Sequence, residues 1–182
     1  DFDPQNPEGV IPAEAREGGN PLDRWILARL NQVTARVSEA LEKRDPLAAT
    51  VAVEELLDDL TNWYIRRSRR RFWKSEKDDD KRQAYGVLYH LLVKLAKLLA
   101  PFTPFITEQL YQNLVRTVRE DALESVHHCA WPQADLGAVD EKLLVQMALA
   151  RQAAGLGLSA RNEANLKVRQ PLARALIYNR AK

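Results

Sequence analysis

Cysteine is nearly absent from this chain of 182 residues, in which Cys129 is the single example. One thiol forms no disulfide within the chain and builds no cysteine-rich zinc site. His127 and His128 precede it, but no second cluster of metal ligands exists elsewhere in the sequence, which argues against a metal site. The scarcity of cysteine fits a reducing compartment, so the predicted location is the cytoplasm.

The sequence also lacks a hydrophobic run long enough to cross a bilayer. Its longest apolar stretch, residues 88–105, is interrupted by one histidine, two lysines and two prolines, whereas a membrane-spanning helix needs about 20 apolar residues. The chain has no initiator methionine and no charged-then-apolar leader. These absences predict a fragment of a longer protein that is neither secreted nor bound to a membrane.

Recognisable catalytic patterns are missing as well. The sequence offers no glycine-rich phosphate loop, no paired carboxylates in a plausible cleft, and no nucleophile with a matching base. We therefore predict no catalytic residue, no metal and no cofactor in this chain. Its 46% hydrophobic and 29% charged residues are enough for one sizeable core.

Apolar periodicity predicts helices after residue 19. Residues 1–19 hold three prolines and three glycines without periodicity, which predicts a linker from a preceding domain. Asn20-Pro21 and Asp45-Pro46 each combine a capping side chain with proline at the first helical position. The first helix should extend to about residue 42 with an apolar stripe of Leu22, Ile26, Leu30, Val33, Val37 and Leu41. The stripe expected for the second is Leu47, Val51, Leu57, Leu60 and Tyr64.

Two further helices are predicted on either side of a proline pair. The stripe of the third consists of Leu88, Leu91, Leu95 and Leu98, and Pro101 requires this helix to stop near Ala100. Thr103-Pro104 starts the fourth, with Ile106, Leu110 and Leu114 on one face. Because short connections favour antiparallel neighbours, we expect a helix bundle over residues 20–124.

Residues 125–182 are predicted to form a smaller region. Residues 125–132 are typical of a short extended segment closed by proline, and Asp140 should cap a fifth helix. The apolar face of that helix is expected to comprise Leu143, Met147, Ala150 and Ala154. The last twenty residues are typical of the beginning of a strand-bearing element. The predicted fold is therefore mainly α, an antiparallel helix bundle with a small α+β appendage at its C-terminal end.

Basic residues are concentrated at the end of the second predicted helix. Six of the nine residues from Arg66 to Lys74 are basic and none is acidic. Arginine binds phosphate through two parallel hydrogen bonds, and nearby aromatic rings offer stacking surfaces for unpaired bases. The candidate RNA-binding residues are Arg66, Arg67, Arg69, Arg70, Arg71, Trp73 and Lys74.

A structural interpretation of the same run stays open. Cations near a helix C-terminus are stabilised by the helix dipole, and Trp63 and Tyr64 continue the apolar stripe, so both are expected in the core. Some of the arginines should pair with nearby acids, for which the candidates are Asp58, Asp59, Asp78, Asp79 and Asp80. A helical scaffold that docks an acidic protein surface on the arginines is an alternative function.

Five segments in order resemble the anticodon-binding region of class I aminoacyl-tRNA synthetases of the isoleucine, valine and leucine group. They are Asn20-Pro-Leu-Asp-Arg-Trp-Ile-Leu27, Asn62-Trp-Tyr-Ile-Arg-Arg-Ser-Arg-Arg-Arg-Phe-Trp73, Pro101-Phe-Thr-Pro-Phe-Ile-Thr-Glu-Gln-Leu-Tyr111, Ser125-Val-His-His-Cys-Ala-Trp-Pro132 and Asn165-Leu-Lys-Val-Arg-Gln-Pro-Leu172. The arginine run is similar to the isoleucyl branch, while the valyl or leucyl branch remains the alternative.

The resemblance implies a helical domain that positions the isoleucine tRNA. In that family, separate catalytic and editing domains carry out ATP- and magnesium-dependent aminoacylation and its correction. The two signatures of the catalytic domain, His-Ile-Gly-His and Lys-Met-Ser-Lys-Ser, are both absent from this sequence. The resemblance therefore places no ATP, magnesium or isoleucine site on this chain.

Overall fold

The computed structural model describes residues 19–73 and 78–178, and this part of the chain is mainly helical, without a strand. The predicted linker falls outside the described residues except for Gly19, and Lys74 falls outside them as well. The chain divides into two compact units, one ending at Asp140 and one beginning at Glu141. No helix within the described ranges combines the length and the hydropathy needed to cross a membrane.

Both predicted N-terminal caps are confirmed. Helix α1 (Pro21–Glu42) begins at a cap where the Asn20 side chain accepts a hydrogen bond of 3.0 Å from the backbone N–H of Leu22. Helix α2 (Pro46–Asp58) begins where Asp45 accepts one of 2.9 Å from the N–H of Ala48. Each cap satisfies an N–H that has no partner inside its own helix.

The second predicted helix is one continuous rod made of three segments. Helix α2 leads into a π-helix, π1 (Asp59–Ile65), and then into α3 (Arg66–Trp73), while the junction residues keep right-handed helical backbone angles. A π segment shifts the side chains that follow it relative to an uninterrupted α-helix. The arginine run thus begins immediately after this shift.

Charged side chains show that this rod packs antiparallel to α1. The bridges link residues whose numbers rise along one helix and fall along the other: Asp23 with Arg71, Arg29 with Asp59, and Arg36 with Glu55. The predicted antiparallel packing of these neighbours is confirmed.

Helix α4 (Asp79–Leu99) packs against α1 and α3. Asp78 caps it by accepting a hydrogen bond of 2.8 Å from the N–H of Lys81. It ends two residues before Pro101, as that proline predicts. Helix α5 (Pro104–Tyr111) follows and continues into a second π-helix, π2 (Gln112–Arg116).

The buried face of α2 differs from its predicted stripe. Leu47 is 72% exposed, and Val51 and Leu57 are also exposed. The residues of α2 that pack inside are Ala49, Ala52, Val53 and Leu56. In π1, Leu60 and Tyr64 are buried as the stripe predicted. Ala49 and Ala52 form part of this inner face, although the larger side chains of the predicted stripe pointed to a different side of the helix.

The predicted inner face of the fourth helix is only partly right, because only Leu114 of its three residues is half-buried against the core. Ile106 is 62% exposed and Leu110 is exposed as well, whereas Thr107, Tyr111 and Val115 are buried. The Thr107 hydroxyl donates to the carbonyl of Thr103, and the Tyr111 hydroxyl donates to that of Leu123. These bonds satisfy the polar atoms and allow a partly polar face to be buried.

A short 3₁₀ helix, Val126–His128, lies where an extended segment was expected. Glu108 holds its start, because Oε2 accepts hydrogen bonds from the Ser125 hydroxyl at 2.8 Å and from the Val126 N–H at 3.0 Å. Val126 joins a small core with Ala100, Tyr111 and Val115. A carboxylate that is distant in sequence thus closes a turn that side-chain alternation did not indicate.

The second unit contains helix α6 (Glu141–Glu163), which begins directly after Asp140, as predicted. It continues through Gly155 and Gly157. After it, the described residues 164–178 form turns and irregular backbone without a strand. The Arg161 guanidinium donates to the carbonyls of Lys167 and Gln170 and folds this segment back towards the helix end.

Candidate nucleic-acid interface

Four arginines and one tryptophan of α3 face solvent. Arg66, Arg67, Arg69, Arg70 and Trp73 are exposed, and we refer to these five residues as the arginine surface. At 100° per residue, Arg66, Arg70 and Trp73 share the outermost side and Arg67 and Arg69 flank it. The surface therefore covers more than one side of the helix.

The inner face of α3 fixes this orientation. Ser68 and Phe72 are buried four residues apart, and the Phe72 ring makes edge-to-face contacts with Tyr64 and Tyr85, with centroids 6.4 and 5.3 Å apart. The Tyr85 hydroxyl also donates to the Phe72 carbonyl at 3.3 Å. Because this face is held in the core, α3 presents its remaining side chains outward.

Two of the exposed arginines are stacked on indole rings. The guanidinium carbon of Arg67 lies 4.5 Å from the Trp63 ring centroid, and that of Arg69 lies 3.9 Å from the Trp73 centroid. Stacking restricts a long side chain while its N–H donors remain available at the edge of the group. The contacts therefore restrict two guanidinium groups that remain exposed at the surface.

Arg71 has a different environment from its neighbours. Its Nη1 and Nη2 atoms donate to the two carboxylate oxygens of Asp23 at 2.7 and 2.8 Å, and its Nε donates to Asp80 at 2.8 Å. The Tyr64 hydroxyl adds a hydrogen bond of 2.8 Å to Asp23, whose side chain is fully buried. Arg71 thus joins α1, α3 and α4 in one network.

This network has a clear electrostatic effect on its members. Burial lowers the pKa of Arg71, but the hydrogen bonds that Arg71 donates to Asp23 and Asp80 outweigh burial and raise that pKa above its usual value. Burial and the negative charge of Asp23 raise the pKa of Tyr64. Arg71 stays charged and Tyr64 stays neutral, so both act as donors to the buried carboxylate.

The acids predicted to neutralise the run mostly have other roles. Asp80 pairs with Arg71, whereas Asp59 binds Arg29 and Asp79 pairs with Arg82. Among the residues that the structure describes, none forms an ion pair with Arg66, Arg67, Arg69 or Arg70. The arginine surface therefore carries net positive charge.

The aromatic residues beside the run separate into core and surface. Tyr64 is fully buried, as expected, while Trp63 is half-buried under Arg67 and Trp73 is 69% exposed. The sequence did not reveal the two stacking pairs, although each tryptophan lies four residues from its arginine. That spacing places two side chains on one helix face and could have indicated both pairs.

The histidines beside Cys129 do not form part of a ligand cluster in the structure. In the described ranges, no three His, Cys, Asp or Glu side chains are arranged to hold a metal ion. His127 and His128 belong to the 3₁₀ helix, and Cys129 is a free, half-buried thiol.

The chain resembles known proteins over most of its length. Residues 23–177 match the family described as the anticodon-binding domain of tRNA ligase. The chain is 51% identical over 170 residues to an isoleucine--tRNA ligase of Dehalococcoides mccartyi, covering 92% of this chain and 17% of that protein. It is 48% identical over 162 residues to the enzyme of the same name from Clostridium novyi, with coverages of 89% and 16%.

A third relative has the same name and a similar identity to this chain. The isoleucine--tRNA ligase of Thermus thermophilus is 47% identical over 157 residues, which are 86% of this chain and 15% of the relative. The chain thus spans about a sixth of the length of these curated relatives.

Proposed function

Since the chain belongs to the anticodon-binding domain family of tRNA ligases, we propose that it binds tRNA through the arginine surface. The observation that carries this proposal is the difference between Arg71 and its neighbours. Arg71 is bound by acids inside the bundle, whereas Arg66, Arg67, Arg69 and Arg70 reach solvent without an acidic partner among the described residues. We therefore omit Arg71 from the proposed contact surface.

Phosphate groups fit this surface better than an uncharged ligand does. The exposed guanidinium groups all carry positive charge and lie close together on α3. They therefore produce a positive potential that attracts a polyanion. Trp73 adds an exposed ring at the end of α3 on which an unpaired base can stack. A folded RNA with an exposed loop supplies both phosphates and unpaired bases.

We further propose that the whole protein is an isoleucine-tRNA ligase and that this chain positions the isoleucine tRNA. The three relatives described above all carry that name, which favours the isoleucyl branch over the valyl or leucyl branch. ATP and magnesium would then be bound by the catalytic domain, and misacylated products would be handled by an editing domain. Neither domain is represented in this sequence.

The domain plan that accompanies this proposal has three parts. Residues 1–19 form the connection to the catalytic domain, residues 20–124 form the anticodon-binding bundle, and residues 125–182 contribute to a small α+β appendage. The family match across residues 23–177 supports treating the last two as parts of one functional region. A cytoplasmic location follows from the tRNA partner and from the single cysteine.

Binding measurements with a set of tRNAs test the proposal. The 182-residue chain is titrated with isoleucine, valine and leucine tRNAs and with an isoleucine tRNA whose anticodon bases are changed. We expect the tightest binding to the unmodified isoleucine tRNA. Equal affinity for all of them would remove the isoleucyl assignment while leaving a general tRNA-binding role. No binding to any of these tRNAs at moderate salt would contradict both the isoleucyl assignment and the general tRNA-binding role.

A further inference from the structure

A second positively charged feature lies away from the arginine surface, along the side of α4. It is a cleft of about 550 Å³ between α4, the π2 region and the loops that follow. Its walls combine apolar side chains with three cationic ones, Lys94, Lys97 and Arg119, and with one carboxylate, that of Asp121. The positive charges therefore outnumber the negative ones at this cleft.

The charges of the cleft are only partly compensated. Arg119 lies 3.1 Å from Asp121 and shares its charge with that carboxylate. Lys94 Nζ donates a hydrogen bond of 3.0 Å to the amide oxygen of Asn31, a neutral acceptor. Lys97 forms no hydrogen bond or ion pair with any residue that the structure describes.

The environment of Lys94 disfavours its positive charge. Burial lowers the pKa of this ammonium group, Lys97 lowers it further, and Asp135 opposes the change without reversing it. Lys94 and Lys97 are three residues apart, so they occupy one side of α4 and repel each other. A bound anion would offset both the burial cost and the repulsion.

The size and the walls of the cleft narrow the choice of anion. Its volume lies within the range of small-molecule sites and exceeds what a single phosphate ion fills. Tyr89, Val93, Tyr111 and Leu123 supply aromatic and aliphatic surface. The hydroxyls of both tyrosines already donate to backbone carbonyls, so their rings offer mainly apolar contact.

We infer that this cleft binds one nucleotide unit, with its phosphate between Lys94, Lys97 and Arg119 and its base or ribose against the apolar wall. This inference rests on the proposed RNA-binding function only if the nucleotide belongs to the tRNA. A free nucleotide offers the same chemistry. Asp80, which binds Arg71, is seventeen residues from Lys97 along α4, or roughly 25 Å at 1.5 Å per residue. The cleft is therefore a contact separate from the arginine surface.

Isothermal titration of the 182-residue chain with adenosine 5′-monophosphate, adenosine and tRNA tests this inference. We expect the monophosphate to bind and adenosine to bind more weakly. Lys97→Glu should weaken monophosphate binding by about fivefold or more, because it replaces a charge-assisted contact with repulsion. Lys97→Gln, which is less disruptive to folding, should weaken it in the same direction. Lys43→Glu changes an exposed lysine outside the cleft and serves as the control.

The tRNA titration separates the two sources of the nucleotide. If Lys97→Glu weakens tRNA and monophosphate binding together, the cleft holds a nucleotide of the tRNA. If only monophosphate binding weakens, the ligand is a free nucleotide. Arg67→Glu on the arginine surface should weaken tRNA binding but not monophosphate binding. If Arg67→Glu leaves tRNA binding unchanged, the proposed RNA-binding function fails while the inference about the cleft still stands or falls on the monophosphate result. Failure of the monophosphate to bind, or equal binding by the wild type and both Lys97 variants, would overturn the inference.

Discussion

Arg71 binds Asp23 through two parallel hydrogen bonds, from Nη1 to Oδ1 at 2.7 Å and from Nη2 to Oδ2 at 2.8 Å. This pair connects the first turn of α1 to the last turn of α3, and the Asp23 side chain has no solvent exposure. The end of α3 is therefore fixed to the bundle by a buried charge pair. That attachment holds the neighbouring arginines in their outward orientation.

Removing the buried carboxylate should destabilise the fold. Asp23→Asn keeps the side-chain volume but leaves the Arg71 guanidinium without its bidentate partner. We expect a loss of about 3 kcal/mol or more in the free energy of unfolding, because breaking a buried pair leaves an uncompensated charge. Urea denaturation followed by circular dichroism measures this change.

Two further variants identify the cause of that loss. Asp121→Asn removes an exposed partner of Arg119 and should change the free energy of unfolding far less than Asp23→Asn does. The double variant Asp23→Leu with Arg71→Met replaces both charges by apolar groups and should be more stable than Asp23→Asn. If the double variant is less stable than Asp23→Asn, the charged pair contributes more to stability than apolar side chains buried in its place.

The ion pair between Arg36 and Glu55 should make stability depend on pH. The hydrogen bond from Arg36 lowers the pKa of Glu55 below its usual value of 4.5. A carboxyl group whose pKa is lower in the folded state than in the unfolded state stabilises the fold when the pH lies above its unfolded-state pKa. This contribution is lost as the pH falls through its folded-state pKa. Glu55→Gln should therefore cost no more than about 1 kcal/mol at neutral pH, since the pair is exposed.

Urea unfolding at neutral pH and at several values below 4.5 checks this dependence. The stability difference between wild type and Glu55→Gln should shrink as the pH falls below 4.5. Glu54→Gln, an exposed change at the adjacent position, is the matched control for removing a surface carboxylate from α2. A constant difference for Glu55→Gln across this range would indicate that the ion pair does not stabilise the fold.

Trp73 should contribute to RNA binding without contributing much to stability. It is 69% exposed and carries Arg69 on its ring. Trp73→Ala should lower tRNA affinity by about fivefold or more, since one base–aromatic stack is worth about 1–3 kcal/mol. Fluorescence anisotropy with labelled tRNA measures the affinity. Phe105→Ala removes another exposed aromatic residue, 90% exposed on α5, and should leave the affinity unchanged.

Capping and proline chemistry made the helix boundaries predictable from the sequence. Asn20 and Asp45 act through bonds to residues two and three positions away, so the information is local. The buried faces were less predictable, because periodicity assigns the core to the most hydrophobic side. Between α1 and α2 the contact face contains Ala49 and Ala52, whose small size permits close packing while Leu47 remains exposed.

Arg71 illustrates the same limit at the candidate site. The run from Arg66 to Arg71 looks uniform in sequence, and only the fold brings Asp23 against its final arginine. Two local signals were present. Asp23 lies beside Trp25 and Ile26 in the buried opening of α1, and Arg71 precedes Phe72, which packs in the core. A buried acid requires a partner, and a long-range contact of this kind is determined by tertiary packing.

The charge-reversal variant Arg66→Glu with Arg70→Glu tests the central claim most directly. Both residues lie on the outermost side of α3, where reversal should disturb the core little. Lys43→Glu is the control, because Lys43 is twenty residues from Asp23 along α1, roughly 30 Å from the Arg71 pair. Circular dichroism of all variants confirms that the bundle remains folded.

The measurement is the affinity for isoleucine tRNA as a function of salt concentration. If Arg66 and Arg70 bind phosphates, the double variant should bind at least about tenfold more weakly at low salt. The slope of log affinity against log salt should also decrease by about 2, because each phosphate contact contributes close to one unit. Lys43→Glu should behave like the wild type. An unchanged affinity and an unchanged slope in the double variant would contradict the assignment of this surface to tRNA.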